Sequence, residues 1–324
     1  MKKLLLSLAA ALLTFSSSAQ LKFNENKTFK IVQLTDIHWV AGNEKSDIAA
    51  ENINLILDEE KPDLVVYTGD LIYGSPVQEG FAKALEPVVK RGLPFAVTLG
   101  NHDAELEWNP QQIYDYITSF PGNLTSTTEG ISGKTNYVLT LKSSDGGDKD
   151  AAVLYFIDSH AYNKVDGYEW VKRDQVDWYS SVSREFTAAN GGNPLPALAF
   201  MHIPTPEFNI AASTEGTFMV GTRKEAACSP KINTGLFAEM FQCKDVMGLF
   251  VGHDHINDYI CNWQGIALAY GRYSGADTVY NNIAGGNGAR IILLTEGERS
   301  FKTWIRLRDG NKVINEVTFP QDCW

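Results

Sequence analysis

Residues 246–255 read VMGLFVGHDH. Positions 246–251 form an uncharged, β-rich run of the kind that makes a strand buried on both faces, and the run stops at Gly252-His253-Asp254-His255. The same order recurs upstream. Thr35-Asp36-Ile37-His38 follows a run at 29–34, Gly69-Asp70 follows 63–68, Gly100-Asn101-His102-Asp103 follows 94–99, and His202 follows 195–201. Each polar group therefore sits at the carboxyl end of an expected strand. Open α/β sheets collect ligands there, because successive loops converge on one edge.

Helix-like stretches alternate with these strands, which predicts α/β layers. Residues 48–60 read as a helix with Ser46 or Asp47 as its cap and Pro62 just beyond. Ser75-Pro76-Val77-Gln78 reads as a capping box with Pro at the first helical position, opening a helix to Arg91 that Gly92 closes. Further helices are expected at 110–120, 172–189 and 234–241, and strands at 135–141 and 151–157 around a hairpin loop at 143–150. Residues 205–232 read as a long functional loop. The tail reads as antiparallel strands at 265–270, 289–294, 301–308 and 313–319.

Of 324 residues, 44% are hydrophobic and 21% charged, which excludes disorder, collagen and a coiled coil. A chain this long buries roughly 75% of its unfolded surface, so a metal site would serve chemistry rather than folding. The net charge is −11, and no basic run offers a footprint for a phosphate backbone, so a nucleic-acid scaffold role is not expected. Residues 1–19 are expected to be a signal peptide. Lys2 and Lys3 precede an apolar run at 4–15, shorter than the about 20 residues a membrane span needs, and Ser17-Ser18-Ala19 makes a cleavage site before Gln20. Removal of 1–19 leaves 26 basic against 39 acidic residues, a net charge of −13. The mature chain, 20–324, shows no linker and no second apolar segment of membrane length, so one domain is expected, periplasmic or extracellular, with its oligomeric state open. No CxxC pair occurs, and an oxidising compartment favours two disulfides. Among three connectivities, Cys228 with Cys243 and Cys261 with Cys323 are expected, because the first two flank one helix and the others lie in the terminal β region.

The chain has six histidines, and five of them stand in the turns quoted above. Imidazoles mixed with carboxylates and one amide oxygen suit Zn, Fe, Mn or Ni, and the lack of thiolates argues against a closed structural zinc site. The donors are too many for one tetrahedral ion. Two ions about 3.5–4 Å apart, bridged by a carboxylate, would use them all, an arrangement common for in-line attack at phosphorus.

As an ordered set, Asp-x-His, Gly-Asp, Gly-Asn-His-Asp, a lone His and Gly-His-x-His resemble the calcineurin-like metallophosphoesterase superfamily. Lys61-Pro62-Asp63, Gly69-Asp70-Leu71-Ile72-Tyr73-Gly74, His202-Ile203-Pro204 before Pro206-Glu207, and Gly252-His253-Asp254-His255-Ile256-Asn257-Asp258 resemble its purple-acid-phosphatase-like branch, over residues 29–295. The resemblance implies a four-layer α/β/β/α sandwich. It further implies one metal held by Asp36, His38 and His255, a second by Asn101, His202 and His253, and Asp70 as the bridge. The cations, Fe, Zn or Mn, would generate a bridging hydroxide that attacks phosphorus, with Asn101 and His202 helping to bear charge on the phosphoryl oxygens. His102 resembles the general acid that protonates the leaving alkoxide, and Asp103 either orients that imidazole or caps a helix. One departure stands out: purple acid phosphatases have Gly where His38 stands and ligate through the Tyr of Gly-Asp-x-x-Tyr. This chain has both His38 and Tyr73, so Tyr73 is expected to pack rather than ligate.

The implied substrate is a small phosphomonoester. The alternatives are a phosphodiesterase with the same centre and a non-catalytic secreted phosphate- or ligand-binding protein of the same fold. Weaker features remain. Gly133-Lys134-Thr135 ends like a P-loop, but Thr128 stands where its first Gly belongs, so it reads as a decoy. Trp39 and Trp108 either stack a substrate ring or pack, His160 either reaches the rim or lies on the surface, and Arg223 either meets a phosphate or is solvated.

Overall fold

In the computed structural model, which describes residues 20–165, 167–308 and 312–322, strands and helices alternate through most of the chain. In order they are β1 (Thr28–Leu34), α1 (Glu44–Glu60), β2 (Leu64–Thr68), α2 (Val77–Val89), β3 (Phe95–Thr98), α3 (Pro110–Ile117), β4 (Tyr137–Lys142), β5 (Asp150–Phe156), α4 (Arg173–Ala189) and β6 (Ala197–Phe200). There follow α5 (Glu207–Ser213), β7 (Met219–Val220), α6 (Leu236–Cys243), β8 (Val246–Val251), β9 (Ile260–Trp263), β10 (Ile266–Tyr270), β11 (Gly288–Thr295), β12 (Phe301–Leu307) and β13 (Val313–Phe319). One sheet runs β13-β12-β11-β1-β2-β3 and the other β4-β5-β6-β8-β10-β9-β7.

Side-chain alternation makes four layers. In β1, Val32 and Leu34 face α1 and α2, whereas Phe29 and Ile31 face the second sheet. In β5, Leu154 and Phe156 point back at the first sheet, whereas Val153 and Tyr155 meet the helical layer of Val176, Tyr179, Phe208 and Met240. Each such side chain contributes about 1.5–3 kcal/mol on burial, so a one-residue slip of either central strand would be costly. The architecture is the expected α/β/β/α sandwich. Within it β1, β2 and β3 are parallel, as are β5, β6, β8 and β10, so both sheets present carboxyl ends along one edge.

Several local expectations are corrected. The cap of α1 is Asn43, which accepts from Lys45 N at 3.0 Å, while Ser46 fastens Val40 instead. No box forms at α2, whose cap is Pro76; Asn109 and Gln112 form one at α3. The stretch 205–232 carries α5 and β7, and the tail's β10 pairs parallel with β8 rather than extending the antiparallel set. That strand is reached through the two-residue turn Gln264-Gly265, both at positive φ, which closes a tight hairpin with β9.

The Cys228–Cys243 bridge is not formed. Cys228 N contacts Asp254 just past the end of β8, whereas Cys243 immediately precedes its start, about 20 Å away at the rise of an extended strand and beyond the reach of a disulfide. Cys261 is buried, and its expected partner Cys323 lies outside the described residues, as does the expected signal peptide. No helix among the described residues is long and apolar enough to cross a membrane.

Candidate metal centre

The five polar turns meet where the two sheets' carboxyl edges touch. His253 N donates to both carboxylate oxygens of Asp36 at 3.1 Å, His202 Nδ1 lies 2.7 Å from Thr68 O, and Gly252 N donates to His202 O at 3.0 Å. Glycine is required at this seam. A Cβ on Gly69, at φ +84°, would lie 2.5 Å from His202 Nδ1, and one on Gly252 would lie 1.9 Å from Thr35 Oγ1.

Left-handed backbone then turns the donors inward. Asp36, His38, Asp70 and His253 are four of the eleven non-glycine residues at positive φ among those described, each a cost of about 1–3 kcal/mol that the surroundings must offset. Asp103 supplies much of that. Its buried carboxylate accepts from Gly100 N (2.8 Å), Asp70 N (3.0 Å) and Leu71 N (2.8 Å), clamping two ligand loops together.

Two donor sets result, joined by a third group. Asp36, His38 and His255 each offer an atom within 4.8 Å of the others, as do Asp70, His202 and His253, and His38, Asp70 and His102 connect the two. Asp70 Oδ2 lies 3.4 Å from His38 Nε2 and 3.1 Å from His202 Nε2, so it stands between the sets. Asn101 Oδ1 joins the second at 3.1 Å from His202 Nε2, and His253 Nδ1 lies 3.3 Å from the same nitrogen. Because His202 Nδ1 donates to Thr68 O, and His255 Nδ1 to Tyr280 O at 2.9 Å, the Nε2 lone pairs face the centre.

These residues fit cations. Lone pairs crowd against lone pairs, and both ring nitrogens of His38, Asp70 Oδ2 and His253 Nε2 are buried without a hydrogen-bond partner. The electrostatics show the same need for positive charge. Burial opposes a charged His202, yet Asp70 outweighs it and pushes that imidazole up to about 10; burial likewise works against the Asp70 carboxylate, but His202 and His38 hold it well below its usual range. Burial takes His255 down to about 4 and His253 well below its ordinary value.

His102 stands beside the centre, its ring 5.4 Å from that of His38, and His102 N donates to Asp70 Oδ1 at 2.8 Å. The reading of Asp103 as its orienting partner is corrected: Asp103 is spent on backbone N–H groups, and burial, then Asp70, pushes it up to about 6. Glu105 takes that place, with Oε2 2.6 Å from His102 Nδ1. Tyr73 packs edge-on against His38 and His102, at 5.4 and 4.9 Å. Arg223 is not brought in; it is exposed, and Nη1 reaches Ala212 O at 3.4 Å. Trp39 is buried in the α1–α2 core, and Trp108 stacks on Phe81. His160 bonds Gln175, and the P-loop-like turn cradles a carboxylate of the chain itself, with Lys134 N and Thr135 N donating to Asp158 Oδ2 at 2.7 and 3.1 Å.

Sequence reasoning missed Glu105, whose spacing of three from His102 was the available signal. It also missed Tyr162, which accepts from Asn101 Nδ2 at 2.8 Å, and the buried pair Arg272 and Arg290, which hold Asp258 through its carboxylate and carbonyl at 2.5 and 2.6 Å.

The sequence profile of the calcineurin-like phosphoesterases matches residues 29–257. The chain is 32% identical to the probable inactive purple acid phosphatase 14 of Arabidopsis thaliana, over 90% of this chain and 84% of the relative. It is 31% identical to phosphatase DCR2 of Saccharomyces cerevisiae, over 92% of this chain and 57% of that one. A dimetal phosphatase from Danio rerio shares the fold with a TM-score of 0.61 at 12% identity, covering 90% of this chain and 98% of its own. The chain belongs to the calcineurin-like phosphoesterase family, on its purple-acid-phosphatase-like branch.

Proposed function

We propose that this chain is an exported phosphoesterase that uses two metal ions to hydrolyse phosphomonoesters. The observation that carries the reading is the pair of donor sets with Asp70 between them and the His102 imidazole, held by Glu105, at their side. Asp36, His38 and His255 would hold one cation of the Fe, Zn or Mn type, Asn101, His202 and His253 the other, and Asp70 both. When bound, such a pair supplies Lewis-acid charge and brings the pKa of water towards neutrality.

The chain's own residues do the rest. Hydrogen bonds from Nδ1 of His202 and His255 to main-chain carbonyls fix both rings, so their Nε2 atoms point inward. Glu105 accepts from His102 Nδ1, which leaves Nε2 to hand a proton to the departing oxygen. Tyr162 holds the Asn101 amide so that Oδ1 stays on the centre.

A second reading, a phosphate-binding protein without turnover, draws support from the word "inactive" in the name of the Arabidopsis relative. Metal analysis of the purified mature chain, followed by assays with a chromogenic monoester and diester, separates them. The proposal expects about two metal equivalents and turnover of the monoester above the diester. Stoichiometric metal and phosphate binding with turnover of neither would favour the binding protein.

A further inference from the structure

The mouth of the centre is ringed by phenols. Tyr73, Tyr162 and Tyr280 are 44%, 43% and 55% exposed, high for large side chains in a fold whose other aromatic residues mostly pack inside. Each leans on a histidine of the centre: Tyr73 on His102 at 4.9 Å, Tyr162 on His102 at 6.4 Å, and Tyr280 on His255 at 4.4 Å. Half-buried Tyr168 lies 4.4 Å from His253 and 5.6 Å from Tyr162. Tyr162 OH is tied to Asn101 and Tyr280 OH donates to Glu225 at 3.2 Å, so these rings are held rather than loose. Exposed aromatic rings set around a group of polar donors mark a surface that meets ligand.

The charges on this rim are acidic. Glu225 accepts from the Tyr280 hydroxyl at 3.2 Å and from Ile256 N at 3.0 Å, and a further carboxylate, Glu105, is turned to His102. The neighbouring lysine, Lys224, is turned to Asn282 O. An anionic leaving group would meet Glu225, and a neutral alkyl group would gain contact area alone. A cation gains twice, from the negative faces of the phenols and from the Glu225 carboxylate.

Resting on the phosphoesterase reading, we infer that the tyrosine rim selects phosphoesters whose leaving alcohol carries an ammonium group. Hydrolysis breaks the bond between phosphorus and the ester oxygen, water supplies the oxygen to phosphate, and the amino alcohol departs with the proton. The rim holds the cation throughout.

A matched pair of substrates tests this on the metal-loaded mature protein: choline phosphate against 3,3-dimethylbutyl phosphate, which has the same shape without the charge. The expected preference in kcat/KM for choline phosphate is about 5- to 30-fold. Tyr280→Leu and Glu225→Gln should each shrink it, while Tyr280→Phe, which keeps the ring face, should preserve most of it. A readout independent of turnover is calorimetric titration with tetramethylammonium, whose binding is expected to weaken in Tyr280→Leu. Equal hydrolysis of the two esters would overturn the rim's role and leave the phosphoesterase reading standing. Failure to hydrolyse either, with tetramethylammonium still bound at the rim, would instead sink the catalytic reading.

Discussion

The two sheets hold their halves of the centre by different means. Donors from the six-stranded sheet sit on short turns, Asp36, His38 and Asp70 at left-handed backbone angles, and Asp103 ties the turns of Asp70 and Gly100 together through main-chain N–H groups. Of the donors from the seven-stranded sheet, His202 and His255 are aimed by side-chain bonds to Thr68 O and Tyr280 O, only His253 is set by left-handed backbone, and the loops of that half carry Tyr162, Tyr168 and Tyr280. The first half fixes atoms by fixing backbone. The second relies more on anchored rings, and its loops carry the tyrosines beside the centre.

The largest effect is expected at the seam. Asp70 reaches towards both donor sets, so Asp70→Asn should empty both metal positions and abolish turnover, whereas His38→Ala should empty mainly one. Inductively coupled plasma analysis of the two variants decides it. Loss of the same single equivalent from both would mean that the carboxylate belongs to one half only.

Next comes the backbone clamp. Asp103→Ala leaves the N–H groups of Gly100, Asp70 and Leu71 without their acceptor in a dry site, at about 1–3 kcal/mol each, so stability should fall by about 3–6 kcal/mol after partial relaxation. The urea midpoint measures this, and Asp103→Asn, which keeps one acceptor oxygen, should lose less. A midpoint unmoved by the alanine variant would break the contrast between a backbone-held half and a ring-held half.

The same contrast explains what could be read in advance. Asp36, Asp70, His202 and His253 follow their strands by two residues, and Asn101 and His102 follow theirs by three and four, so strand runs plus polar turns located them without any tertiary knowledge. The strands β8 and β13 were legible to the residue, because continuous apolar or alternating runs ended at clear breaks. What stayed hidden was set by contacts distant in sequence. Asp103 looked like a partner for the adjacent imidazole, but its acceptors are filled by N–H groups across the seam at Asp70 and Leu71. Arg223, in a long loop, read equally as a phosphate contact or a solvated side chain, and that loop leaves it exposed and directed to Ala212 O. The hairpin of β9 and β10 escaped notice because Gln264-Gly265 lacks the usual Asn or Asp at its first position.

The smallest effect concerns Glu105, which acts only through His102. If His102 protonates the leaving oxygen, His102→Ala should retain both metals, lose about 10²- to 10⁴-fold on alkyl phosphates, and lose much less on p-nitrophenyl phosphate, whose anion departs nearly unaided. Glu105 fixes the Nδ1–H of that ring at 2.6 Å from a half-buried carboxylate, so its contribution is a fraction of the whole. Glu105→Ala should cost roughly tenfold on alkyl phosphates, about what one charge-assisted hydrogen bond is worth, and Glu105→Gln should recover part of it. The same substrate pattern must appear, weaker, since a positioning residue inherits the selectivity of the group it positions. Adding Glu105→Ala to His102→Ala should then change nothing, because no imidazole remains to orient. A further loss in the double variant, or an equal loss on both esters in the single one, would place Glu105 with the tyrosine rim as a substrate contact and leave His102 to be oriented by the phosphoester itself.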